Sequence, residues 1–168
     1  YSCKLEYIEE FYQNEKFNEC IINEIISNVE DASQYNLIFS AHGLPQKIVD
    51  NGDPYEEQMD EHVEILKNMI EKKGVNFKSI NLAYQSKVGP MKWLEPSLED
   101  MLKNFKEQKV IIYPIAFIVD NSETDFELNI EYREVAHDLG IKEYKVCRCV
   151  NDSDDFIEAI KNIIKGHK

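Results

Sequence analysis

Val110 to Phe117 reads Val-Ile-Ile-Tyr-Pro-Ile-Ala-Phe, an almost unbroken apolar run. A strand with one wet face alternates apolar and polar side chains. A run without alternation predicts a strand buried on both faces, as in parallel sheets covered by helices. The rest of the chain fits that reading. Tyr35 to Ala41, Ser79 to Tyr84 and Tyr144 to Val150 are further short strand-like runs. Phe17, Ile21, Ile25 and Val29 recur every four residues, with Ile22 and Ile26 widening the stripe. Asp53-Pro54 is a helix start, followed by Met59, Val63, Leu66 and Ile70 and ended by Gly74. Ser97 can cap a helix carrying Leu98, Met101, Leu102 and Phe105. One helix is expected from near Ser122 to Gly140, and a last one begins at Asp152 or Ser153 with Phe156, Ile160 and Ile163. Strands alternating with helices predict an α/β fold: a doubly wound, four-stranded parallel sheet flanked by helices, in one domain spanning residues 1–168.

Charge narrows the partners. The chain carries 32 acidic against 19 basic residues, a formal net charge of -13. Such a surface repels phosphate backbones, so no nucleic-acid partner is expected, and solubility accounts for the surface charge as a whole. No run approaches the roughly 20 apolar residues of a transmembrane segment. The four cysteines, Cys3, Cys20, Cys147 and Cys149, lack zinc-ligand spacing and read as buried or incidental thiols of a reduced, cytoplasmic setting. The chain opens on Tyr1, not Met, and is expected to be a fragment or a processed product.

Open parallel sheets bind ligands beyond the carboxyl ends of their strands, where strand order reverses. That edge should carry Ser40-Ala41-His42-Gly43-Leu44-Pro45, then Tyr84 to Pro90 with Trp93, and then Asp120-Asn121-Ser122-Glu123. His42 is the sharpest candidate, because a neutral imidazole accepts a proton or binds a borderline metal. His62 flanks the apolar face of its helix, and His137 and His167 lie near helix ends, so structural roles suit those three. Glu123, Glu127 and Glu131 stand at i, i+4 and i+8, which predicts an acidic stripe that Glu134 extends and Asp120 precedes. Such like-charge neighbours cost a helix roughly 0.2–0.5 kcal/mol per pair unless water screens them or cations and protons use the column.

These residues resemble the ferrochelatase family. The resemblance lies in Ser40 to Pro45, Gly52-Asp53-Pro54-Tyr55, Tyr84 to Pro90 with Trp93-Leu94, and Pro114 to Phe117 continuing through Ser122-Glu123-Thr124, Glu127-Leu128 and Ile130-Glu131-Tyr132. It covers nearly the whole chain but only the C-terminal half of the family's usual length. The resemblance therefore implies insertion of ferrous iron into a porphyrin, protoporphyrin IX to protoheme, with an absent N-terminal domain supplying the opposing wall of the cleft. By the same resemblance His42 and Glu123 are the catalytic and metal-handling pair. Asp120, Glu127 and Glu131 form an acidic path for protons or metal, and Trp93, Tyr84 and Ser86 bind porphyrin. Two departures concern the start of the acidic helix: Asn121 stands where a histidine is frequent, and Asp125 where an apolar residue is usual.

The partners implied are porphyrin and ferrous iron, the iron as substrate with no permanently bound cofactor. Cys147 and Cys149 do not reproduce the arrangement by which some members hold an iron–sulfur cluster, so none is expected. The expected setting is cytoplasmic, with transient peripheral membrane contact for release of an apolar product. Two rivals stand beside this reading. One is a cobalt or nickel chelatase of related fold, and the other is a non-catalytic tetrapyrrole- or metal-binding domain.

Overall fold

The computed structural model describes residues 5–166; Cys3 and His167 lie outside the described residues. The strands are β1 (Tyr35–His42), β2 (Ser79–Gln85), β3 (Lys109–Tyr113) and β4 (Glu143–Val146). They form one all-parallel sheet in the order β2-β1-β3-β4. The chain leaves β1 toward β2 on one side and returns to β3 on the other. The topological switch point therefore lies between the carboxyl ends of β1 and β3.

Two faces of helices enclose the sheet. On one side lie α1 (Glu15–Ser27), α3 (Tyr55–Lys72) and α6 (Asp154–Gly166), whose Ile21, Ile25, Leu66, Ile70 and Phe156 pack against Leu37, Phe39 and Ile111. On the other lie α4 (Leu98–Leu102), the helical segment Glu123–Glu131 and α5 (Tyr132–Asp138), joined through Leu98, Leu102, Leu128 and Ala136 to Ile38, Val110 and Ile112. Each buried Leu or Ile of this kind contributes about 1.5–3 kcal/mol. A short helix, α2 (Gln46–Asp50), follows the first strand and escaped the sequence reading because five residues carry no periodicity.

Sequence signals explain most boundaries. Asn14 caps α1 through its side chain to the Phe17 N–H, Asp53 Oδ1 accepts from the Tyr55 N–H, and Ser153 Oγ accepts from the Phe156 N–H. Ser97 Oγ accepts from the Asp100 N–H, although α4 tightens into a 3-10 turn at Lys103–Phe105.

Three boundaries need correction. The third strand ends at Tyr113, not Phe117, because Pro114 has no N–H and the next residues turn, with Phe117 N donating to Pro114 O. The fourth strand spans Glu143–Val146 rather than Tyr144 to Val150, so the Cys147 and Cys149 thiols lie past its end. The expected single helix from Ser122 to Gly140 is two helices of different winding. Glu123–Glu131 is a π-helix, and only Tyr132–Asp138 is α-helical. Residues four apart share a face closely enough in both windings for the apolar and acidic spacing not to tell them apart.

Strand parity decides what faces the switch point. Along β1, Tyr35, Leu37, Phe39 and Ala41 enter the α1/α3 core. The alternate residues Asn36, Ile38, Ser40 and His42 face the α4/π-helix side, on which Ile38 packs. On β2 the register pairs Ser40 with Ala83, Ala41 with Tyr84 and His42 with Gln85. Ala83 and Gln85 therefore share the face of His42, and Tyr84 takes the other.

Candidate active site

His42 is the last residue of β1, and its ring meets the first turn of the π-helix. Nδ1 lies 2.7 Å from Glu123 Oε2. A carboxylate accepts, so Nδ1 is the donor, and in a neutral imidazole Nε2 then keeps the lone pair. Both side chains are about one-third open, 39% for His42 and 36% for Glu123, which leaves the pair reachable from the sheet edge. The Phe117 ring stands edge-on to the imidazole with centroids 6.3 Å apart. Behind the histidine, the Tyr55 hydroxyl donates to His42 O at 3.0 Å. Burial pushes that phenol up to about 12, so it stays a donor.

Gly43 brings the two loops together. Its N–H donates to Gln85 O at 2.9 Å, and a Cβ at this position would stand 2.6 Å from that same oxygen. Only glycine permits the approach that sets Ser86 beside the π-helix.

Ser86 is the junction of the site. Its backbone occupies the left-handed region at φ 64°, uncommon for a residue with a side chain. That conformation points both of its donors at one group: N–H to Glu127 Oε1 at 2.7 Å and Oγ to Glu127 Oε2 at 2.6 Å. The same Oγ lies 3.1 Å from Glu123 Oε2. Gln85 Nε2 adds a long bond to Glu127 Oε2 at 3.4 Å, and the Gln85 amide is held by Ser40 Oγ at 2.7 Å. The helix start is fixed by Asn121, whose Oδ1 accepts from the Glu123 N–H at 2.8 Å while Thr124 Oγ1 accepts from the Asn121 N–H. Asn121 thus shapes this turn.

The remaining candidates divide. Glu131 follows Glu127 on the helix and is exposed, so the column runs from half-buried to open. Trp93 borders the site, its Nε1 donating to Val88 O at 3.1 Å and its ring 3.5 Å from where a Gly43 Cβ would be. Tyr84 is a correction. Parity sends its side chain to the α3 face, opposite His42, where it is 4% exposed and part of the core. Asp120 is a second correction. Its carboxylate turns to the end of β4, where it accepts from Cys149 N at 2.7 Å, Asn151 Nδ2 at 2.9 Å and Arg148 Nε at 3.0 Å. Burial alone would raise this acid, but those donors together hold it below the ordinary carboxylate range. It caps a loop and does not extend the Glu123–Glu127 column.

Ser40, Gln85 and Tyr55 belong to the site's supporting network, although the sequence marked them only as parts of motifs. For Ser40 a signal was available: a polar residue two before His42 on the same face of an apolar strand. Cys20, Cys147 and Cys149 are free and buried, and burial pushes all three thiols up. Among the described residues no three of His, Cys, Asp and Glu converge as a resident metal site. Nor is any described helix long and apolar enough to cross a membrane.

Comparisons with known proteins bear on the family and the fold. The ferrochelatase family model matches residues 1–168. The ferrochelatase of Sulfurimonas denitrificans is 56% identical over 158 residues, covering 93% of this chain and 50% of that protein. That of Wolinella succinogenes is 49% identical over 166 residues, covering 98% of this chain and 52% of that protein. The chain thus spans about half the length of the curated relatives it matches. Among solved structures, SirB from Bacillus subtilis with Fe3+ superposes with a TM-score of 0.62 at 11% identity, covering 91% of this chain and 54% of that one. A multi-domain Deinococcus radiodurans protein with structural similarity to chelatases gives 0.63 at 10% identity, covering 91% of this chain and 30% of that one. At such low identity these two speak to the fold alone.

Proposed function

This chain belongs to the ferrochelatase family, and from that premise we propose that it carries one wall of the site where ferrous iron enters a porphyrin, with protoporphyrin IX as the substrate. The observation that carries the reading is the 2.7 Å contact of His42 Nδ1 with Glu123 Oε2 at the switch point. Metallation requires two pyrrole N–H protons to leave as two nitrogen–iron bonds form. His42 Nε2 is the base that takes a pyrrole proton, and the Glu123 carboxylate steadies the imidazolium that results. One imidazole nitrogen and one carboxylate are too few ligands to retain iron. The remaining coordination comes from water and then from the tetrapyrrole, as a substrate metal in transit needs.

Trp93 offers an aromatic face to the macrocycle. The half of the relatives' length that this chain does not span supplies the opposing wall. Iron is substrate here, and neutral, buried Cys147 and Cys149 speak against an iron–sulfur cluster held through them. The three free thiols among the described residues suit a reducing, cytoplasmic compartment, with transient membrane contact for handing over an apolar product.

The test is iron insertion into protoporphyrin IX by full-length His42→Ala and Glu123→Gln proteins. Both should lose at least about 100-fold in kcat, the scale of a positioned base. Near wild-type rates in both would sink the assignment. Porphyrin binding without turnover in the wild-type full-length protein would favour a binding domain instead. Faster insertion of cobalt or nickel than of iron would favour the related chelatases.

A further inference from the structure

In a parallel sheet the N–H and C=O of one residue turn to the same neighbouring strand, and successive residues alternate between neighbours. Along β1, Tyr35 O accepts from Lys78 N and Gly43 N donates to Gln85 O, so odd residues turn to the β2 side. Ser40 O accepts from Ile115 N, so even residues turn to the β3 side. His42 O is the next even carbonyl, and its ladder donor would be the N–H of Phe117, two residues past Ile115. The strand β3 has ended by then, and Phe117 N donates to Pro114 O at 3.1 Å. The Tyr55 hydroxyl fills the vacated place, 3.0 Å from His42 O. The peptide unit between His42 and Gly43 is thereby held at both polar groups, its oxygen by Tyr55 and its N–H by Gln85 O at 2.9 Å. A peptide unit is planar, so holding both groups fixes where the adjoining Cα atoms stand. We propose that Tyr55 is a positioning residue: it clamps the His42–Gly43 peptide unit from behind and so holds the imidazole against Glu123 in front.

The clamp is needed because this joint is soft. The paired register of β1 with β3 ends at Phe39, whereas that with β2 runs on to His42, so the tip of the strand has a ladder on one side only. The residue that follows is glycine, which has the most backbone freedom of any. A reacting group has to stay within about 0.5 Å of its working position, which a one-sided strand end next to glycine does not ensure. The Gly52-Asp53-Pro54-Tyr55 motif supplies a firm mount. Gly52 turns the chain at φ 100°, a conformation that L side chains rarely adopt. Asp53 Oδ1 accepts from the Tyr55 N–H at 3.0 Å, which fixes the first residue of α3. The Tyr55 ring packs against the core that α1 and α3 share, on the face of β1 opposite the His42 side chain. The hydroxyl thus bears on the histidine's backbone from the body of the domain.

This inference rests on the iron-insertion reading, and its test has one arm that does not depend on it. In the full-length protein Tyr55→Phe keeps the packed ring and removes only the hydroxyl. Iron insertion into protoporphyrin IX should then fall at least about tenfold in kcat, with KM for both substrates within about twofold. Tm should fall by no more than about 4 °C, the scale of one lost hydrogen bond. The second arm is amide hydrogen exchange, followed by NMR on the same protein without substrates. Exchange should quicken at Gly43 at least about fivefold more than at Phe39 in mid-strand, because the loosening is local. A kcat within about twofold of wild type overturns the proposal, whatever Tm does. So does a raised KM at unchanged kcat, the mark of a porphyrin contact, or exchange that quickens equally at Gly43 and Phe39, the mark of general loosening. Wild-type protein that inserts no iron overturns the functional reading instead, and exchange at Gly43 then decides the clamp alone.

Discussion

His62 gives the most quantitative prediction, because its ring is buried where a positive charge has no place. It is 2% exposed, its Nε2 donates to Asn18 Oδ1 at 2.8 Å, and Phe17 stacks on it with centroids 6.0 Å apart. Asn18 is itself fully buried and spends its amide hydrogen on Tyr12 O. Burial lowers the folded-state pKa of His62 to about 4, against the ordinary 6.5. The unfolded chain therefore binds a proton below pH 6.5 while the folded chain refuses it until about pH 4. The stabilisation is fully present above pH 6.5 and is lost as the pH falls toward 4, with a limiting slope of about 1.4 kcal/mol per pH unit. Between pH 7.5 and 4 the loss from this one residue comes to about 3 kcal/mol. A large share of a domain's net stability of about 5–15 kcal/mol rides on it.

The assay is urea unfolding followed by far-ultraviolet circular dichroism at half-unit pH steps, on the wild type and on His62→Gln. The glutamine amide can still donate to Asn18 but does not titrate. Carboxylates common to both proteins cancel in the difference. The wild-type advantage at pH 7.5 should shrink by about 3 kcal/mol on reaching pH 4, most of it below pH 6. A difference that stays constant across this range would refute the claim that His62 is held neutral.

Two further outcomes follow from single side chains. The Tyr113 hydroxyl is buried, 1% exposed, and has no hydrogen-bond partner among the described residues, so Tyr113→Phe should stabilise the chain by about 1 kcal/mol in the same unfolding experiment; a loss of that size would show a hidden partner. Asp120→Asn should leave the kcat of iron insertion in the full-length protein within about twofold while lowering Tm, because the carboxylate braces Arg148, Cys149 and Asn151; a tenfold fall in kcat at unchanged Tm would return Asp120 to the proton path.

The legible part of this site was the part encoded by period two and by position along a strand. His42 could be placed at a strand's carboxyl end because β1 is apolar up to it, and the all-parallel sheet then put Glu123 on the same edge. The misreadings share a cause: the direction of a side chain depends on register and winding that composition does not record. Tyr84 and Gln85 are adjacent in one motif, yet pairing with Ala41 and His42 sends them to opposite faces. Asp120 precedes the acidic stripe in sequence, but three donors beyond β4 draw it away. The π-helix was invisible because glutamates four apart and a leucine-tyrosine-valine stripe satisfy either winding. Ser86 is marked by its motif as a porphyrin contact, but its bonds to Glu123 and Glu127 were not legible, since they depend on a left-handed backbone that serine itself does not favour.

The alternation along β1 bears on which kinds of genetic change this chain can absorb. Its odd residues serve one core, while on the even side Ile38 serves the other and Ser40 and His42 reach the site, so both duties are read from one eight-residue strand. Replacing a core residue by another of similar size disturbs packing locally and leaves the imidazole where it is. Losing or gaining one codon between Tyr35 and Ala41 is different in kind. Held in register by its amino end, the strand would move the histidine off the face of the glutamate and put Gly43, on a loss, or Ala41, on a gain, in its place. Lineages carrying this site should therefore vary more among the core-facing residues of β1 than in its length.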